Sequence, residues 1–198
     1  MKYTIHNTRL LSANELEDIL HKSARMYSEY ADTTLLFVFR EKKADAYDYY
    51  EVQFGRNNFM HLAGIKSKNY SATDFYEACL AGVINKADCT PSRDYNTLYA
   101  KVSIMMQLLD LKKSKCYKIG EKDLITRDND FEMATGNSQG IIGYDSRIKT
   151  KTGKRNKRKP AVPTTLLNNG ITSYCSRPQK IMFILQKRDD EELYDSLF

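Results

Sequence analysis

Three histidines, His6, His21 and His61, are the side chains whose ordinary pKa places a change of charge near neutral pH. His6 lies in a short polar N-terminal stretch and His21 among charged neighbours on a helical pattern, so both read as surface residues. His61 stands inside NFMHLAGI, flanked by apolar residues and closely followed by Gly64. An imidazole in that setting is either a satisfied structural group or a general acid–base. The other conspicuous feature is a run of charge: residues 147–159, RIKTKTGKRNKRK, hold eight basic residues and no acidic one. Such a strip is suited to clamping the phosphates of a nucleic acid, or to meeting an acidic protein surface.

The rest of the inventory is thin. Cys79, Cys89, Cys116 and Cys175 are scattered, without a C-x-x-C pair or a clustered histidine, which argues against a zinc site or a disulfide framework and reads as small buried thiols. Neither G-x-G-x-x-G nor G-x-x-x-x-G-K-[ST] occurs, and GNSQGIIG at 136–143 has the glycines without the spacing, so no organic cofactor is called for. The net charge of +6 is local, because without the basic strip the other residues sum to −2. At 198 residues, 41% hydrophobic and 28% charged, the composition is that of a globular chain of about one domain. No uncharged apolar run approaches the ~20 residues of a membrane span, and MKYTIHNTRLLSANELEDIL offers no secretory apolar segment, so no membrane partner and a cytoplasmic location are expected.

The elements that would position these groups follow from periodicity. Residues 12–29 predict a helix, with Ser12 as N-cap, Glu15 completing a capping box, and Leu16, Ile19 and Leu20 at helical spacing. TTLLFVFR at 33–40 and AYDYYEVQFG at 46–55 read as an antiparallel strand pair. Ser71 caps a second helix lined by Phe75, Cys79 and Val83, and residues 94–111 give the longest helical stripe, through Leu98, Val102, Met105, Met106 and Leu109. Short strands then follow at 116–122, 131–136 and 140–145. A Leu-Leu segment comes after Pro160 and Pro163, a strand at 180–187, and an acidic tail that reads as loose helix or unstructured chain. The expected architecture is α+β, an antiparallel sheet packed by two or three helices with an exposed basic loop. Its organisation reads as an N-terminal segment 1–30, a domain 31–188 with the loop at 147–159, and a tail 189–198.

FGRNNFMHLAGI followed by ATDFYEACLAGVI resembles the phage-encoded nuclease-like proteins of the BECR type, named for barnase, EndoU, colicin and RelE toxins, and more narrowly their fourth phage group. The similarity runs in order through Phe59–Gly64, Phe75-Tyr76, Lys101, Gly136-Asn137 and the segment from Pro163 to Leu167, covering about Thr33 to Arg188. It implies a BECR-like fold and cleavage of RNA, tRNA-like in kind, by attack of the 2′-OH without a metal. That reaction needs a base for the hydroxyl, an acid for the leaving 5′-oxygen and donors for the charge on phosphorus.

By position the resemblance implies His61 as acid–base, Lys101 as charge stabiliser, and Asn137 and Thr165 as polar orienters. Arg56 is the candidate for a phosphate contact, with Lys154, Arg155, Lys157, Arg158 and Lys159 of the strip for the nucleic acid. Bland roles stand beside these: a solvent-facing lysine off the apolar stripe, a turn residue next to Gly136, and a cap for a helical turn beginning at Leu166. Tyr144 or Tyr174 offers a second acid if nearby cations lower its pKa. RNA is the expected partner of a toxin-like hydrolase in the host cytoplasm. The alternative is a non-catalytic counter-defence inhibitor on the same scaffold, binding a host defence protein, a nucleic acid or a nucleotide.

Overall fold

The structure, a computed structural model, describes residues 11–41, 46–111, 117–123, 131–146 and 160–197. The basic strip, with Lys154, Arg155, Lys157, Arg158 and Lys159, lies outside the described residues, as does Cys116.

Helix α1 spans Ala13–Tyr27 and starts at the capping box anticipated from sequence: Ser12 Oγ accepts the Glu15 N–H at 3.3 Å, and the Glu15 carboxylate accepts the Ser12 N–H at 2.9 Å. Its buried face, Leu16, Leu20, Ala24 and Tyr27, belongs to the same core as the sheet, so the N-terminal helix is built into the domain. Strands β1 (Thr33–Glu41) and β2 (Ala46–Phe54) pair antiparallel in register from Thr33–Phe54 to Glu41–Ala46. The chain then forms α2 (Asn58–Ala63), β3 (Ile65–Lys66), α3 (Ala72–Ala81), β4 (Thr90–Pro91) and α4 (Tyr95–Leu109). After these come β5 (Lys118–Glu121), β6 (Met133–Gly136), β7 (Ile141–Asp145), β8 (Val162–Leu167), β9 (Gln179–Arg188) and β10 (Asp195–Ser196).

The main sheet runs β2-β1-β9-β5-β6-β7-β8, and every ladder along it is antiparallel. Its ends approach each other. Ala161 donates to Glu51 O at 2.9 Å and accepts from Gln53 N–H at 2.7 Å, so the start of β8 is stitched to β2 and the sheet curls almost shut. The right-handed twist of strands makes such curling natural. Four α-helices are described, of which α1, α3 and α4 are the long ones. They cover the face carrying Leu35, Phe37, Val52, Phe54 and Ile184, all 0% exposed. Aromatic packing holds the junction, with the Tyr27 ring 5.4 Å from Phe59 and 5.8 Å from Phe54 and Tyr76. The fold is the expected α+β class.

Three local readings are corrected. Val83 does not line the second helix, because α3 ends at Ala81 with Gly82 as a left-handed cap and Val83 beyond it is 67% exposed. The segment with Leu166 and Leu167 is strand β8, not a helical turn, because Thr165 and Leu166 pair with Gly143 and Ile142 of β7 and a ladder outweighs the local capping preference. The acidic tail is neither loose helix nor unattached: β10 pairs with β9, and the Tyr194 hydroxyl donates to Glu51 at 2.7 Å.

Candidate active site

The short helix α2 exists because the chain must turn sharply after β2. Asn58 Oδ1 accepts the Gly55 N–H at 3.0 Å and the Tyr27 hydroxyl donates to Gly55 O at 2.9 Å, fixing the turn. Phe59, Leu62 and Ala63 are buried on one side, which leaves His61 exposed on the other. The helix ends at Gly64 with φ +72°, a left-handed cap whose N–H donates to His61 O at 3.0 Å. Gly64 has a second reason to be glycine: a Cβ there would come 2.8 Å from Cδ of Lys101.

Lys101 projects from α4 off the stripe of Leu98, Val102, Met105 and Leu109, all buried. Its carbon stem lies over Gly64, and Nζ reaches Thr165 Oγ1 at 3.5 Å, the outer limit of a hydrogen bond. Burial lowers the pKa of this half-buried lysine, and the charge of Arg93 lowers it further. Among the described residues no carboxylate is paired with it. Arg93 is held by the turn into α4: Ser92 N–H donates to Gly64 O at 2.8 Å, and Asp94 caps the helix by accepting Thr97 N–H at 2.8 Å. Those Thr97 hydrogen bonds keep the Asp94 carboxyl below its usual range, with a smaller contribution from Arg93. Asp94 is thus engaged in capping.

Thr165 owes its aim to an irregularity. The β7–β8 register shifts between Gly143–Thr165 and Tyr144–Pro163, so Thr164 is an extra residue, a β-bulge, and its hydroxyl donates to Gly143 O at 3.2 Å. Bulges re-aim side chains. Here two consecutive threonines are half-buried where strict alternation would hide one of them. Helix α2 packs against both β8 and α4, so Lys101 and Thr165 meet beside the C-terminal end of the helix that carries His61.

The other positions singled out from sequence lie elsewhere. Asn137 closes the β6–β7 turn, its Oδ1 accepting N–H groups of Gln139 at 2.8 Å and Gly140 at 3.2 Å. That turn packs near Ile104 and Leu108 of α4, further along the helix than Lys101. Arg56 lies at the other end of α2 and is clamped by Asp32 at 2.6 Å and Glu77 at 2.8 Å, beside a cavity of about 360 Å³ that Asp189 also lines. Tyr144 is fully buried and hydrogen-bonds Thr135 at 2.5 Å; burial pushes its pKa well up, the reverse of what an acid catalyst requires. Tyr174 is buried, its ring packed edge-on against Phe131 at 6.0 Å. Burial pushes Cys89 to about 11 and Cys175 to about 12, and raises Cys79 further still, so the described thiols are unreactive packing groups. The sequence reading passed over Ser92, Arg93 and Thr164. The Ser-Arg pair directly ahead of the Asp94 cap was the available signal for the first two, while a bulge leaves none.

A family model for the phage-Barnase-EndoU-ColicinE5/D-RelE like nuclease 4 proteins matches residues 19–198. The chain belongs to this nuclease family. The match spans the four helices from Ile19 onward and the whole sheet, so the BECR-type assignment covers the fold. No curated protein and no solved structure matches the chain. Among the described residues no group of three His, Cys, Asp or Glu could hold a metal ion, and no helix is long and apolar enough to cross a membrane.

Proposed function

We propose that this BECR-type nuclease cleaves RNA by attack of the 2′-OH on the adjacent phosphate, with His61, Lys101 and Thr165 at the scissile group. The observation that carries the reading is Lys101: a half-buried ammonium, without an acidic partner among the described residues, 3.5 Å from a hydroxyl and acted on by a second cation, Arg93. Burying a charge so poorly compensated is costly, and an anionic ligand is what would offset it.

In this reading Lys101 and Arg93 face the negative charge that grows on the phosphoryl oxygens, supplying what a divalent cation would otherwise bring. Thr165 orients the Lys101 ammonium, and Thr164 fixes the bulge that aims Thr165. His61, exposed on α2, moves the proton of the 2′-OH or of the leaving oxygen. Asn137 acts through the β6–β7 turn and Arg56 through the Asp32–Glu77 clamp, both supporting the scaffold. Lys154, Arg155, Lys157, Arg158 and Lys159 supply long-range attraction to the RNA backbone.

The test is digestion of tRNA-like transcripts in chelator, with mapping of the product ends. A 2′,3′-cyclic phosphate and loss of cleavage in a folded His61→Ala variant are expected. Products with 5′-phosphate and 3′-hydroxyl ends would refute the 2′-OH mechanism. The non-catalytic inhibitor reading would replace it if biological activity survives His61→Ala and is lost when the five basic residues from Lys154 to Lys159 become Glu.

A further inference from the structure

The face of the sheet turned away from the helices carries large rings in the open. Tyr47 is 64% exposed, Tyr49 63% and Phe183 48%. The register aligns two of them: Tyr49 of β2 lies opposite Val38 of β1, which lies opposite Phe183 of β9, so they form one row across three strands. Two residues along, Tyr47 is opposite Arg40, and Lys180 lies one residue before Ile181, the β9 partner of Phe39. Lys180 is in turn directly opposite Lys118 of β5, and both are exposed. Like charges facing each other across a ladder are unfavourable.

An aromatic row thus stands beside a cationic row, one strand repeat of about 6.8 Å away. The C-terminal segment runs along β9, with β10 paired to Gln186 and Leu185 and the Leu197 N–H donating to Ile184 O at 2.8 Å, while Tyr194 reaches Glu51 on the same face as Tyr49.

We propose that this outer face is a second, non-catalytic binding platform for single-stranded RNA, with bases stacked on Tyr49 and Phe183 and phosphates along Lys118, Lys180 and Arg40. It goes beyond the reading given above for Lys101, and rests on that reading only in taking RNA as the polymer. Exposed rings alone would suit a protein partner equally. The flanking row of cations, two of them opposed without mutual benefit, selects a polyanion with flat apolar faces.

The experiment measures binding of a 2′-O-methyl hexaadenylate, which lacks the attacking hydroxyl, to the full chain by fluorescence anisotropy. Tyr49→Ala and Phe183→Ala should each weaken binding roughly tenfold, with unchanged melting temperatures because both side chains are exposed. Lys118→Gln with Lys180→Gln should flatten the plot of log affinity against log salt by about 1.4, at ~0.7 per phosphate contact. Unchanged affinity in the ring variants overturns the proposal. So does concentration-dependent self-association that the ring variants abolish while oligonucleotide affinity stays put. If the rings matter for binding but the wild type cleaves no RNA, the platform stands and the catalytic reading falls. Cleavage with rings that do not matter gives the reverse.

Discussion

Replacing Lys101 by Met should make the protein more stable and far less active. Methionine keeps most of the unbranched stem that lies over Gly64, where a Cβ would come 2.8 Å from Lys101 Cδ, and it is a good helix former. What disappears is the ammonium. Its pKa in the fold lies below the ordinary 10.5, first through burial and then through Arg93. The protonated form is therefore worse off in the folded chain than in the unfolded one. That cost is fully present at neutral pH, and it is removed as the pH rises from the folded towards the unfolded pKa. Removing the charge relieves it, so the melting temperature should rise, by about 2–4 °C for each kcal/mol gained in a chain of this size. Losing one preorganised charge at the phosphate should cost about 10²–10³ in turnover. Thermal unfolding at pH 7 and single-turnover RNA cleavage measure the two together. Destabilisation with full activity would refute the reasoning, since it would mean that Lys101 is satisfied in the native state and works as a structural group.

Other changes probe the same arrangement. Gly64→Ala puts a Cβ at φ +72° against Lys101 Cδ, so stability should fall by about 1–2 kcal/mol and cleavage should fall with it; a variant melting at the wild-type temperature would contradict the geometry. Arg93→Gln removes a cation that depresses the Lys101 pKa, so the alkaline limb of the pH–rate profile should move to higher pH while maximal activity drops; a shift to lower pH has the wrong sign. Arg56→Ala breaks two half-exposed ion pairs, with Asp32 and Glu77, and should cost less than about 1 kcal/mol with cleavage nearly intact, whereas a hundredfold loss would return Arg56 to the phosphate.

Much of the architecture was readable because it follows from short-range rules. The Ser12–Glu15 box, the alternation through Tyr50, Val52 and Phe54, and the stripe from Leu98 to Leu109 each fix a local period, and the core forms where those periods agree. The segment around Thr165 was not readable in this way. Val162–Leu167 becomes a strand through β7 on one side and the stitch of Ala161 to β2 on the other, both distant in sequence. The candidate site divides similarly. His61 drew attention as an imidazole in an apolar setting, and Lys101 and Thr165 through a resemblance. Arg56 and Asn137 have the right chemistry, but Asp32 and Glu77 take up the first and the backbone of the β6–β7 turn the second.

The sequence by itself determined the three long helices, the strand pair and the segregation of positive charge, because each depends on neighbours within a few residues. Tertiary structure alone decided which polar groups keep unspent capacity. Whether a lysine has an acid beside it, whether an arginine is already clamped, and whether a row of rings is covered by the returning chain depend on contacts between distant segments. Those same contacts, made when the sheet curls towards closure and α4 packs beside α2, set the local dielectric and therefore the cost of the Lys101 charge.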